Sequence, residues 1–117
     1  MAGKIFWRLG GILGALGVAL GAFGAHGLRD VVEDPAHLEW WETGARYHLI
    51  HALALLGVAA HPRPPRAAGW LFVAGIGLFS GSLYVMTLTG IRALGAVTPL
   101  GGLALIAGWI TLALRRP

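Results

Sequence analysis

The sequence predicts an all-α membrane protein, a bundle of four transmembrane helices with both termini cytoplasmic. Three observations carry this. All five carboxylates, Asp30, Glu33, Asp34, Glu39 and Glu42, fall in one short segment. Uncharged runs occupy 9–25, 47–60, 67–91 and 93–114, and stretches of about 20 apolar residues match a ~30 Å hydrocarbon core. The basic residues stand in ones and twos between those runs. Hydrophobic residues make up 56% of the 117 and charged residues 12%, against about 25% charged in soluble domains. The expected helices, about 5–27, 41–60, 67–90 and 96–114, use almost the whole chain as a single domain and leave no room for a separate catalytic one.

The N-terminus imitates a secretory signal, with Lys4 and Arg8, an apolar run and a small-x-small site at Ala22-Phe23-Gly24. That run exceeds the 7–15 residues of a signal core, so it reads as the first transmembrane helix. Along it Gly10, Gly14, Gly17, Gly21 and Gly24 recur with a mean period of 3.5, a glycine zipper that places all five in one left-handed seam. In lipid, close backbone approach rather than apolar burial drives helices together, and glycine permits it.

Residues 28–44 form the polar connection. Val31, Val32, Leu38, Trp40 and Trp41 alternate with acids, which suits a short amphipathic segment at the interface, with Asp34 capping a turn opened by Pro35. Trp7, Trp40, Trp41 and Trp70 are expected as anchors in the aromatic belts. The second helix is apolar over too short a stretch to span, so it must start near Trp41, drawing Glu42, Arg46, His48 and His51 into or beside the bilayer. It stops at His61, where the Pro-Arg-Pro-Pro turn follows. The third helix carries Ser80, Tyr84 and Thr87 on one side. The fourth opens at Thr98-Pro99, a cap and first-turn proline.

Charge sets the orientation. An even number of spans puts Lys4, Arg8, Arg63, Arg66, Arg115 and Arg116 on one side without an acid. Arg29, Arg46 and Arg92 lie on the other with all five acids. The positive-inside rule then makes the termini cytoplasmic, in the cell (inner) membrane. The scattered cations form no stripe that could follow a phosphate backbone, so the +4 charge does not indicate nucleic acid. The chain has no cysteine, which removes thiolate metal sites, iron–sulfur clusters and covalent haem attachment.

His48 and His51 share a face of the second helix. Counting from His61 puts His51 about 15 Å deep and His48 about 20 Å. Ionisable residues at such depth mark candidate functional sites. His51 is expected to be neutral and partnered by Ser80 or Tyr84, and His26, ending the first helix, to approach His48. The candidate polar site is therefore His26, His48, His51, Ser80 and Tyr84. It reads first as a structural hydrogen-bond network, with a metal, haem or small-molecule site, or a proton or ion path, as alternatives. His37 and His61 read as solvated, Glu42–Arg46 as a pair at the membrane edge, and Arg92 as reaching the acidic loop or a lipid phosphate. No nucleotide loop, nucleophile elbow or zinc-protease motif is present, so no catalytic residue is assigned.

Residues 21–28 (GAFGAHGL), 47–56 (YHLIHALALL), 78–84 (LFSGSLY) with Leu88-Thr89-Gly90, and 98–102 (TPLGG) with Gly108-Trp109 resemble the YgdD-like family of small bacterial inner-membrane proteins. This is the domain-of-unknown-function 423 family, similar also to the eukaryotic transmembrane protein 256 group. Four motifs in the same order cover essentially the whole chain. The resemblance implies a multi-pass membrane protein and assigns no activity. Function is accordingly read as a structural or accessory membrane component acting through helix packing, with itself or a larger complex, and needing no cofactor. A binder of metal, haem or a small molecule through His26, His48 and His51 is the first alternative, and a small oligomeric transporter the second.

Overall fold

The computed structural model describes residues 2–116 and is all-helical. Four long helices are α1 (Ala2–Ala25), α2 (Pro35–Ala60), α3 (Arg66–Thr89) and α4 (Thr98–Leu114). Short 3₁₀ turns at Gly27–Asp30 and Arg92–Ala96 precede α2 and α4. Three segments are long and apolar enough to cross a membrane: α1, α3, and α4 with its leading turn. The longest helix, α2, falls outside that set because its first half carries Glu39, Glu42 and Arg46, with His48 and His51 following.

α2 starts six residues before the expected position near Trp41. Asp34 caps it, accepting from the Ala36 N–H at 2.9 Å, and Pro35 occupies the first turn. No residue between 36 and 43 breaks a helix, so the amphipathic segment is simply the first turns of α2. A spanning requirement gives only a minimum length, whereas local propensity carries the helix further. α3 ends at Gly90, whose φ of 72° supplies the left-handed cap, its N–H donating to the Met86 carbonyl at 2.8 Å. The expected Thr98 cap is not formed. Thr98 lies inside the first turn of α4 and its hydroxyl is 2.6 Å from that of Ser82 on α3.

The chain folds up and down. Gly3 lies against the Ala59 carbonyl and Pro64, the Phe6 ring lies over Gly69, and Arg115 donates from Nε to the Arg63 carbonyl at 3.1 Å. Both ends of the described chain therefore meet the proline turn at one end of the bundle. The apolar core sits in that half, built on Phe6, Leu55, Val58, Ala68, Phe72 and Leu105. Midway along α3, residues Ile76–Ser80 form a π-helical turn. Beside it Gly101 brings the backbone of α4 against that of Leu78 and Phe79, closer than any side chain would allow.

Candidate functional site

The polar groups of the bundle converge on α2, and glycines decide how they reach their partners. In an α-helix the carbonyl of residue i lies beneath the side chain of residue i+4. Where that residue is glycine, the carbonyl is open to a neighbouring helix. This happens twice between α1 and α2. Gly17 uncovers the Leu13 carbonyl, and His48 donates to it from Nε2 at 2.8 Å. Gly24 uncovers the Leu20 carbonyl, and Trp41 donates to it from Nε1 at 2.7 Å. The two bonds are seven residues apart on both helices, the repeat of a left-handed antiparallel pair. A Cβ on Gly17 would come within 3.2 Å of the His48 ring, and one on Gly24 within 2.5 Å of the Trp41 indole.

His48 also bridges to α3. A backbone carbonyl only accepts, so Nε2 carries the proton, and Nδ1 accepts from the Tyr84 hydroxyl at 2.9 Å. One imidazole thus links α1, α2 and α3. A second pair of bonds, again seven residues apart on each helix, ties α2 to α3. Ser80 donates to the Gly44 carbonyl at 2.7 Å, and the Thr87 hydroxyl shares its proton between the Leu83 carbonyl of its own helix at 2.8 Å and the His37 carbonyl at 3.1 Å.

His51, one turn from His48, takes the opposite tautomer. Its Nδ1 donates to the Tyr47 carbonyl at 2.6 Å, and its Nε2 accepts from Trp109 Nε1 on α4 at 2.9 Å. An indole N–H only donates, so the ring is neutral with its single proton on Nδ1. Neither Ser80 nor Tyr84 is its partner, contrary to expectation, because both lie along the line of α3 that faces Gly44 and His48 while His51 faces Phe72 and α4. In the sequence Trp109 stands only as part of the Gly108-Trp109 pair. The signal that could have drawn attention to it is chemical: an indole N–H shielded from water needs an acceptor.

The remaining candidates distribute as follows. His26 is exposed just beyond α1 and makes no side-chain bond to His48. The three histidines therefore do not converge, and all four ring nitrogens of His48 and His51 are engaged within the bundle. Among the described residues no three His or carboxylate side chains are grouped to hold a metal ion. The five-glycine seam divides. Gly10, Gly17 and Gly24 face α2, joined by Gly3 one heptad earlier, whereas a Cβ on Gly14 or Gly21 would meet nothing within 4 Å. A period of 3.5 built from alternating steps of four and three holds two lines, and only one faces α2.

Among the tryptophans, Trp7 and Trp70 are exposed, and Trp70 meets Phe6 edge-on. Trp40 stacks on His37 at 4.3 Å, with the Arg92 guanidinium 5.9 Å from its ring. Trp41 is no belt anchor: it is 3% exposed, plugged between Gly24 and Tyr84. His37 is half-buried, 3.6 Å from Asp34. His61 accepts from the Arg63 N–H at the end of α2. Glu42 and Arg46 pair at 3.4 Å, both well exposed.

Residues 20–102 match the DUF423 family, described as protein of unknown function. Similar chains include the UPF0382 membrane protein YwdK of Bacillus subtilis, 50% identical over 93% of both chains. A UPF0382 membrane protein of Staphylococcus aureus is 46% identical over 93% of this chain and 92% of its own. Another, of Schizosaccharomyces pombe, is 40% identical over 91% and 96%. No solved structure matches. On this likeness, which runs nearly the whole length of both chains, the protein belongs to the DUF423 family of membrane proteins of unknown function.

Proposed function

We propose that the protein is a four-span, multi-pass protein of the cell (inner) membrane, N-in and C-in, acting as a structural or accessory component through association with itself or a larger membrane complex. One observation carries this reading. Both imidazoles at mid-bundle have every ring nitrogen engaged, three of the four in bonds between helices, and a second line of glycines, Gly14 and Gly21, is left without a partner inside the chain. Buried polar bonds of this kind hold a bundle together in lipid, and small-residue faces let a second helix approach. For α2, crossing is supported by its place among three helices apolar enough to span, with His48, His51 and Ser80 turned inward. The orientation is supported by Lys4, Arg8, Arg63, Arg66, Arg115 and Arg116 flanking one end of the bundle.

The chain has no cysteine, so single cysteines report cleanly. Gly14→Cys and Gly21→Cys should form disulfide-linked dimers in native membranes, while Leu53→Cys, on an exposed face of α2, should not. Monomers at both glycine positions, with no larger species and no co-purified partner in mild detergent, would refute the association. Reporter fusions after Arg116 should behave as cytoplasmic and fusions in the Gly90 turn as external; the reverse pattern would invert the orientation.

A further inference from the structure

Between α2 and α4, over the π-helical turn of α3, lies a cavity of about 400 Å³. Tyr47 and His51 line it from α2, Phe79 from the π turn, and Gly102, Ile106 and Trp109 from α4. Tyr47, Ile106 and Trp109 are each at least two-fifths exposed, so the cavity opens sideways from the bundle rather than through either end. Its size falls within the range of small-molecule pockets. We propose that this lateral cavity binds a neutral, lipid-soluble molecule with a flat carbonyl-bearing ring, of the isoprenoid quinone class. It rests on the four-span reading, which makes the opening face hydrocarbon.

Three features select that chemistry. First, no lining side chain carries a charge: His51 is held neutral by an acceptor on one side of its ring and a donor on the other. Ions and phospholipid headgroups find no counter-charge. Second, the walls are aromatic. The Tyr47 and Phe79 rings lie 4.9 Å apart, and His51 meets Trp109 edge-on at 5.8 Å. Such walls favour a planar ring over a flexible acyl chain. Third, the Tyr47 hydroxyl has no hydrogen-bond partner among the described residues, whereas Tyr84, the other tyrosine, is bonded. A hydroxyl left unpaired in hydrocarbon costs several kcal/mol against an apolar reference, and a ring carbonyl would satisfy it. An ester carbonyl of the bilayer is the competing acceptor, because Tyr47 lies about 6 Å along the axis from His51 toward the N-terminal end of α2, the direction in which its side chain leans. The π turn fits the same account, since such turns break regular packing and recur at functional sites. Here it accompanies the approach of Gly101 to α3 and the placing of Phe79 in the wall.

The test titrates decylubiquinone into the purified protein in detergent, reading tryptophan quenching, with methyl decanoate as competitor. Wild type should quench saturably. Tyr47→Phe should weaken binding roughly five- to ten-fold, the worth of one neutral hydrogen bond. Gly102→Leu should abolish saturable quenching, because a Cβ there meets only ordinary contact with Phe79 at 3.7 Å and the rest of the side chain must enter the cavity. Non-saturable quenching in wild type, displacement of the quinone by methyl decanoate, or undiminished affinity in Tyr47→Phe would each overturn the proposal. The last holds even if Gly102→Leu fails to fold. A failure of the four-span reading would appear in the reporter fusions and would leave saturable binding in detergent untouched.

Discussion

The α1–α2 and α3–α4 hairpins are both closed by glycine, yet the space is used differently. Between α1 and α2, glycine makes room for side chains: Leu56 over Gly10, Leu49 and His48 over Gly17, Trp41 over Gly24. Two of those side chains bond the backbone that glycine uncovers. Between α3 and α4 the contact is apolar but for the Ser82–Thr98 hydroxyl pair at the start of α4. Leu105 covers Gly75, Phe72 covers Gly108, and at Gly101 two backbones meet with nothing between them. The first interface is specified by hydrogen bonds in register, the second by close approach. A side chain can move aside when a glycine is replaced, whereas a backbone cannot.

Gly101→Ala should therefore be the most damaging single methyl in the chain, destabilising by about 3 kcal/mol, the upper part of the range for overpacking. Gly17→Ala should cost less, about 1–2 kcal/mol, because it meets the Leu49 side chain, which can rotate, and the edge of the His48 ring, whose bond to Leu13 it crowds. Gly14→Ala meets nothing inside the chain, so the fold of the single chain should be unchanged or gain a few tenths of a kcal/mol from helix propensity, while association between copies should weaken. Unfolding by sodium dodecyl sulfate from mild detergent measures all three. Equal effects at positions 101 and 17 would erase the distinction between the hairpins.

His48→Leu tests the hydrogen-bonded side. It strands the Tyr84 hydroxyl and removes the link among three helices, so a loss of about 2 kcal/mol is expected, near the upper end for such bonds in membrane bundles. The effect should be strongly non-additive with Tyr84→Phe. His51→Leu should cost about 1 kcal/mol and couple to Trp109→Phe in a double-mutant cycle, although the two positions lie on α2 and α4. Additivity there would mean that the His51–Trp109 bond carries no weight. The smallest effects belong outside the bundle: His26→Leu and His61→Leu should each change stability by less than about 0.5 kcal/mol.

Much of the candidate site was legible from depth and spacing. His48 and His51 stood out because an imidazole far from either end of an apolar helix is costly unless bonded, and Tyr84 lay at a height that could meet one of them. Trp109 was not legible as a partner, because the bond joins residues 58 apart in sequence on helices whose relative rotation no local pattern encodes. Trp41 was misplaced for a related reason. Its position along the chain suited an interfacial anchor, but a helix rotated to bring Gly24 opposite it turns an anchor into a plug.

The sequence by itself determined the helices and their apolar character, because backbone bonding and hydropathy act over neighbouring residues. It also determined that α1 would carry glycine at coiled-coil period. Tertiary structure alone decided which line of that period meets α2, which carbonyls are uncovered, which nitrogen of each histidine holds the proton, and where a cavity is left between α2 and α4. Those outcomes depend on the rotation of each helix about its axis and its register against its neighbours. Many weak contacts settle these together, and no single segment of sequence specifies them.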